Sequence, residues 1–115
     1  MSKSIELSIV STLYKSASHI EEFCQRATHA AEEISPDSYE IILVNDGSPD
    51  NSLSIAIQLA KTNSHIKIID LSRNFGHHYA ILAGLEHACG DLIFLIDCDL
   101  EVRPDVLPEF VRKIH

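Results

Sequence analysis

Two carboxylates one residue apart, Asp97 and Asp99, follow directly on an apolar run at residues 92–96. Carboxylates that end such a run must sit in water or against a cation, because burying them alone is too costly. Side chains alternate along an extended chain, so Asp97 and Asp99 share one side with Cα atoms ~6–7 Å apart, and their oxygens can converge on one ion. Mg²⁺ or Mn²⁺ takes oxygen ligands at ~2.0–2.2 Å and fills its shell with water and substrate phosphates. Glu101, two residues on, offers a third ligand directly or through water. Taken alone, the triplet reads equally well as a pair of solvated loop acids.

Two further clusters follow apolar runs. Asn45-Asp46-Gly47-Ser48-Pro49-Asp50 reads as a turn, with Gly47 allowing a tight reversal and Ser48-Pro49 opening a helix. Ser72-Arg73-Asn74-Phe75-Gly76-His77-His78 sets a permanently charged fork beside a glycine turn and a helix start, a place suited to phosphate oxygens. Taken alone, Arg73 reads as a surface ion-pair residue. His77 and His78 diverge by about 100° on a helix and are not expected to share a metal, though either can donate to a diphosphate. Cys98 sits between negative neighbours that disfavour a thiolate, so its side chain is expected to face the core rather than act as a nucleophile.

The elements that must position these groups are legible as periodicities. Residues 5–10, 41–44, 66–69 and 92–96 are short runs of Ile, Leu and Val, the pattern of strands buried on both faces. Ile20, Phe23, Ala27, Ala30 or Ala31, and Ile34 form a helical stripe, with Ser18 and Glu21 read as a capping box and Pro36 just past the end. A second helix carries Leu53, Ala56, Ile57 and Ala60; a third carries Ala80, Ala83, Leu85 and Ala88, with Gly90 as its C′ residue. A final helix is expected from Pro104. Alternation of strand and helix implies right-handed crossovers and a parallel α/β sheet of Rossmann type with flanking helices. Such sheets bind ligands at the carboxyl ends of their strands, where the three clusters fall.

Length and composition bound the rest. At 115 residues, with 45% hydrophobic and 23% charged residues, the chain is expected to form one domain over residues 1–115, cut short at its C-terminal end. A formal net charge of -8 argues against nucleic acid as a partner and favours a metal-bridged anion. Three cysteines without paired spacing indicate neither a disulfide framework nor a zinc site and fit a reducing cytoplasm. No signal peptide and no apolar run near ~20 residues is visible, so the chain is expected to be soluble.

The strings IVSTLY, VNDGSPDNS, LSRNFGHHYAILAGLEHACGD and LIDCDLEVRPD, in this order, resemble the N-terminal half of family 2 of the inverting glycosyltransferases. The nearest likeness is to the dolichyl- and polyprenyl-phosphate sugar synthases. The resemblance implies the nucleotide-binding half of a GT-A fold, a nucleotide-diphosphate sugar as donor, and a polyprenyl phosphate or glycan as acceptor. It also implies Mn²⁺ or Mg²⁺ held by Asp97, Asp99 and Glu101. By position, Thr12 and Tyr14 would floor the nucleoside pocket, Asp46 would recognise the base, Arg73 would lie near the diphosphate, and Asp97 would meet donor and metal alike. The family usually has Tyr-Asn-Glu where this chain has Tyr14-Lys15-Ser16, and Asp where it has Asn45. The catalytic base falls beyond the metal motif and is not identified among these residues. A longer parent protein would sit at the inner face of a membrane, and the edge of the cut sheet is expected to self-associate. Two alternatives remain at this stage: phosphoryl transfer of the haloacid-dehalogenase type, disfavoured because its acidic motif follows the first strand, and a non-catalytic nucleotide-binding module.

Overall fold

The computed structural model describes residues 5–71 and 73–98. Its elements are β1 (Leu7–Leu13), α1 (Ile20–Ile34), β2 (Tyr39–Asp46), α2 (Ser52–Thr62), β3 (Ile66–Leu71), α3 (His77–His87) and β4 (Leu92–Leu95). All paired strands are parallel, in the order β3-β2-β1-β4. The α/β sheet expected from the alternation is therefore the one that forms. The helix expected from Pro104 lies outside the described residues, as do Asp99 and Glu101.

Strand order explains the exposure pattern. The central strands β1 and β2 are covered on both faces, which is why their sequences run apolar without alternation. Leu7, Ile9, Leu13, Ile41 and Leu43 meet Phe23, Ala27 and Ala31 of α1 and Ala56 of α2 on one face. Val10, Ile42 and Val44 meet Ala80 of α3 on the other. The chain moves from β1 through β2 to β3, then returns past β1 to reach β4. A right-handed crossover in the reverse direction places its helix on the opposite face, so α3 lies across from α1 and α2. Because α3 covers β1 and β2, the neighbouring edge strand β4 leaves Ile93 and Leu95 43% and 46% exposed.

Several boundaries differ from the sequence expectation. β1 runs on through Ser11 and Thr12 to Leu13, and β2 includes Tyr39, Glu40, Asn45 and Asp46. Polar residues enter these buried strands because most of them find partners. The Glu40 carboxylate, 2% exposed, accepts from Ser8 Oγ at 2.6 Å, the Cys89 N–H at 2.7 Å and Lys67 Nζ at 3.4 Å. Asn45 Nδ2 donates to Asp70 Oδ1 at 3.0 Å. The Ser18–Glu21 capping box does not form: α1 begins at Ile20 after His19 with no side-chain cap. Gly90 is not the C′ residue of α3, whose C-cap is Ala88; its amide donates to Ser8 Oγ at 2.8 Å, at the foot of β1. Ile57 and Leu85 of the expected helical stripes lie outward, 41% and 37% exposed. In α2 the inward face is instead carried by Ile55, Ala56, Leu59 and Ala60.

Candidate active site

The strand order also creates a switch point. Connections from β1 leave toward β2, whereas β4 is reached from the other side, so the carboxyl ends of β1 and β4 flank the switch point, the place where the crevice of a parallel sheet takes its ligand. Thr12 stands near the end of β1 and Asp97 just past the end of β4. His77, the first residue of α3, bridges them: its Nδ1 is 3.4 Å from Thr12 Oγ1 and its Nε2 is 4.0 Å from Asp97 Oδ1. Asp97 is 66% exposed and makes no closer ion pair among the described residues, so its carboxylate remains open to a ligand.

Next to the crevice, the β2 turn and the β3 loop are pressed together. Asp46 ends β2 at 5% exposure, and its Oδ1 accepts the Phe75 N–H at 3.0 Å. Its second oxygen has no hydrogen-bond partner among the described residues. Gly47 follows at φ +64°, a left-handed conformation that glycine enters without penalty. A Cβ there would stand 2.3 Å from the Asn74 backbone nitrogen, so the turn also needs glycine for close approach. Gly76, at φ +104°, lets the chain swing from the β3 loop into α3, whose first free N–H groups thus face the same edge. Arg73 lies over the Phe75 ring, 4.7 Å from its centroid, and forms no ion pair with a described carboxylate.

A clasp joins the first two loops. Asp50 accepts from the hydroxyls of Ser48 and Ser52, from the Ser52 N–H at 3.1 Å and from the Ala17 N–H at 3.2 Å. Ser48 Oγ accepts the Lys15 N–H at 2.7 Å, and Ser52 Oγ accepts the Ser16 N–H at 2.9 Å. Slight burial pushes the Asp50 carboxyl up, but these donors outweigh it and hold the group down at about 2. Tyr14, 46% exposed, is presented by this clasped loop.

Thus Thr12, Asp46, Arg73 and Asp97 gather on one sheet edge, with Tyr14 at its rim. Cys98 turns inward, 4% exposed, and joins the core. His77 and His78 diverge, with ring centroids 6.2 Å apart. Among the described residues no three His, Cys, Asp or Glu side chains group as a metal site. The sequence did not reveal His77 as the meeting point of Thr12 and Asp97, since that contact spans 65 positions. It left Asp50 as a turn residue; an acid two positions before a serine that opens a helix was the available signal.

A protein of Mycobacterium tuberculosis described as a glycosyltransferase is 51% identical over 110 residues, covering 96% of this chain and 32% of its own length. Among solved structures, the mannosyltransferase PcManGT of Pyrobaculum calidifontis, in complex with GDP-Man and Mn²⁺, superposes with a TM-score of 0.80 at 22% identity. The match covers 96% of this chain and 32% of that one. TarS of S. aureus, in complex with UDP-GlcNAc, gives a TM-score of 0.77 at 22% identity over 96% of this chain and 31% of that one. The chain thus spans about a third of the length of the relatives it matches, and its fold is that of the matched part of the solved ones. Residues 8–115 match the sequence profile of Glycosyl transferase family 2, and the chain belongs to that family.

Proposed function

We propose that this chain forms the donor-binding part of a glycosyltransferase that moves a sugar from a nucleotide diphosphate to a polyprenyl phosphate or glycan hydroxyl. What supports the reading is that Thr12 and Asp97 meet through His77 at the switch point of a parallel sheet, with Asp46 and Arg73 beside them at the carboxyl ends of β2 and β3. The base stacks against Tyr14 and donates to the second carboxylate oxygen of Asp46. Arg73 and the first N–H groups of α3 face the diphosphate. Family membership leaves the phosphoryl-transfer alternative without support.

Asp97 suits a divalent cation: an exposed carboxylate at a strand end, in a chain of net charge -8 that would otherwise repel a diphosphate. Asp99 and Glu101 complete the proposed ligand set from outside the described residues. When bound, Mn²⁺ or Mg²⁺ neutralises charge on the departing diphosphate. His77 orients the Asp97 carboxylate from the β1 side of the crevice.

Calorimetric titration with UDP, GDP and their sugars, with and without Mn²⁺, tests the reading. One nucleoside diphosphate is expected to bind, much more tightly with the metal, and Asp97→Ala is expected to abolish most of that gain. Equal affinity in EDTA, or full metal dependence in the Asp97→Ala variant, would remove the metal from this edge.

A further inference from the structure

Arg26 pairs with Glu22 and Lys67 with Glu40, but two cations on the ligand edge, Lys15 and Arg73, pair with no carboxylate among the described residues. Each rests on an aromatic ring instead: Lys15 Nζ lies 5.6 Å from the Tyr14 centroid, and Arg73 lies on Phe75. They flank one turn from opposite sides. The Lys15 N–H is fixed to Ser48 Oγ, while the backbone of Arg73 and Asn74 abuts Gly47. Lys15 is also held at φ +54°, a left-handed backbone that a lysine rarely adopts. The bonds from the Tyr14, Lys15, Ser16 and Ala17 amides to side chains of the clasped loops hold it there. A strained, exposed cation with no carboxylate partner among the described residues, maintained beside a ligand edge, points to a bound anion.

We propose that Lys15 is a second cationic contact to the nucleoside diphosphate, forming a clamp with Arg73 across the Gly47-Ser48 turn. The proposal rests on the donor-binding reading above. Poised on Tyr14, the ammonium group swings from the ring to a phosphate oxygen when the base takes the stacking face. Part of the donor affinity is then independent of metal, sensitive to salt, and specific to the charged part of the ligand.

The test is titration of the wild-type chain, Lys15→Met and Lys15→Arg with UDP, GDP, uridine and guanosine, in EDTA and in Mn²⁺, at low and high salt. Lys15→Met keeps the length and the backbone demand of lysine, and unchanged circular dichroism verifies its fold. It is expected to weaken diphosphate binding about fivefold at low salt, with the loss shrinking at high salt and nucleoside affinity unchanged. Lys15→Arg is expected to restore the affinity. Unchanged diphosphate affinity in Lys15→Met, or an equal loss for diphosphate and nucleoside, overturns the clamp and leaves the donor site standing. A wild-type chain that binds no diphosphate even with Mn²⁺ overturns both.

Discussion

Gly47→Ala is expected to damage the fold and the donor site together, because residue 47 meets two constraints at once. At φ +64° a Cβ costs about 1–2 kcal/mol of backbone strain. The same Cβ would stand 2.3 Å from the Asn74 nitrogen, 2.6 Å from the Arg73 carbonyl carbon and 2.9 Å from the Asn74 Cα. These are backbone atoms, so no rotamer change relieves the collision, and overpacking adds about 1–3 kcal/mol. A total near 3 kcal/mol should be read as a drop in the urea midpoint. The displaced Arg73-Asn74 segment also carries the Phe75 N–H away from Asp46, so UDP or GDP affinity should fall in the fraction that remains folded. Gly47→Asn separates the two causes, since asparagine tolerates the left-handed region but still carries a Cβ. If the asparagine variant were as stable as wild type, strain alone would account for the glycine and the close approach would be irrelevant.

At the opposite edge of the sheet, Glu40→Ala should cost about 3 kcal/mol, since it strands the Ser8 hydroxyl and the Cys89 amide and leaves a cavity where a buried side chain stood. Donor affinity measured well below the melting temperature should change little, and a large change would show that the network shapes the site. For Asp50 the folded carboxyl lies lower than its ordinary value of 3.8, so its stabilisation is present above about pH 4 and fades as pH falls toward about 2. Screening at this exposed position reduces the contribution to about 1 kcal/mol, and acid titration of Asp50→Asn should lack that increment. An Asp50→Asn variant with the wild-type acid profile would remove the clasp from the stability of the two loops.

How much could be read from the residues follows from what each feature depends on. The Ile, Leu and Val runs located all four strands, but only β1 and β2 are buried on both faces as those runs imply; β3 and β4 lie at the sheet edges and stay partly exposed, because lateral position is not a local property. The α1 stripe located its helix, and Phe23, Ala27 and Ala31 are buried as the spacing requires. Strand ends were misjudged where a polar residue is buried by a distant partner. Glu40 looked like the end of a run, yet its partners Ser8 and Cys89 are 32 and 49 positions away. Gly90 looked like a helix terminator because that role is common; contact with Ser8, 82 positions away, is not visible in local sequence.

The site divides along the same line. A parallel sheet sends every strand's carboxyl end to one edge whatever the lateral order, so polar clusters after apolar runs identified the edge without any knowledge of topology. Lateral order decides which of those ends are neighbours, and no local pattern encodes it. Only with β1 between β2 and β4 does Thr12 stand beside Asp97, and only with α3 crossing back over β1 does His77 reach both. Moving β4 to the far side of β3 would keep every motif intact and separate Thr12 from Asp97 by two strands. The residue types set what the edge offers a ligand, whereas the reversal of the chain after β3 sets which of these groups stand together.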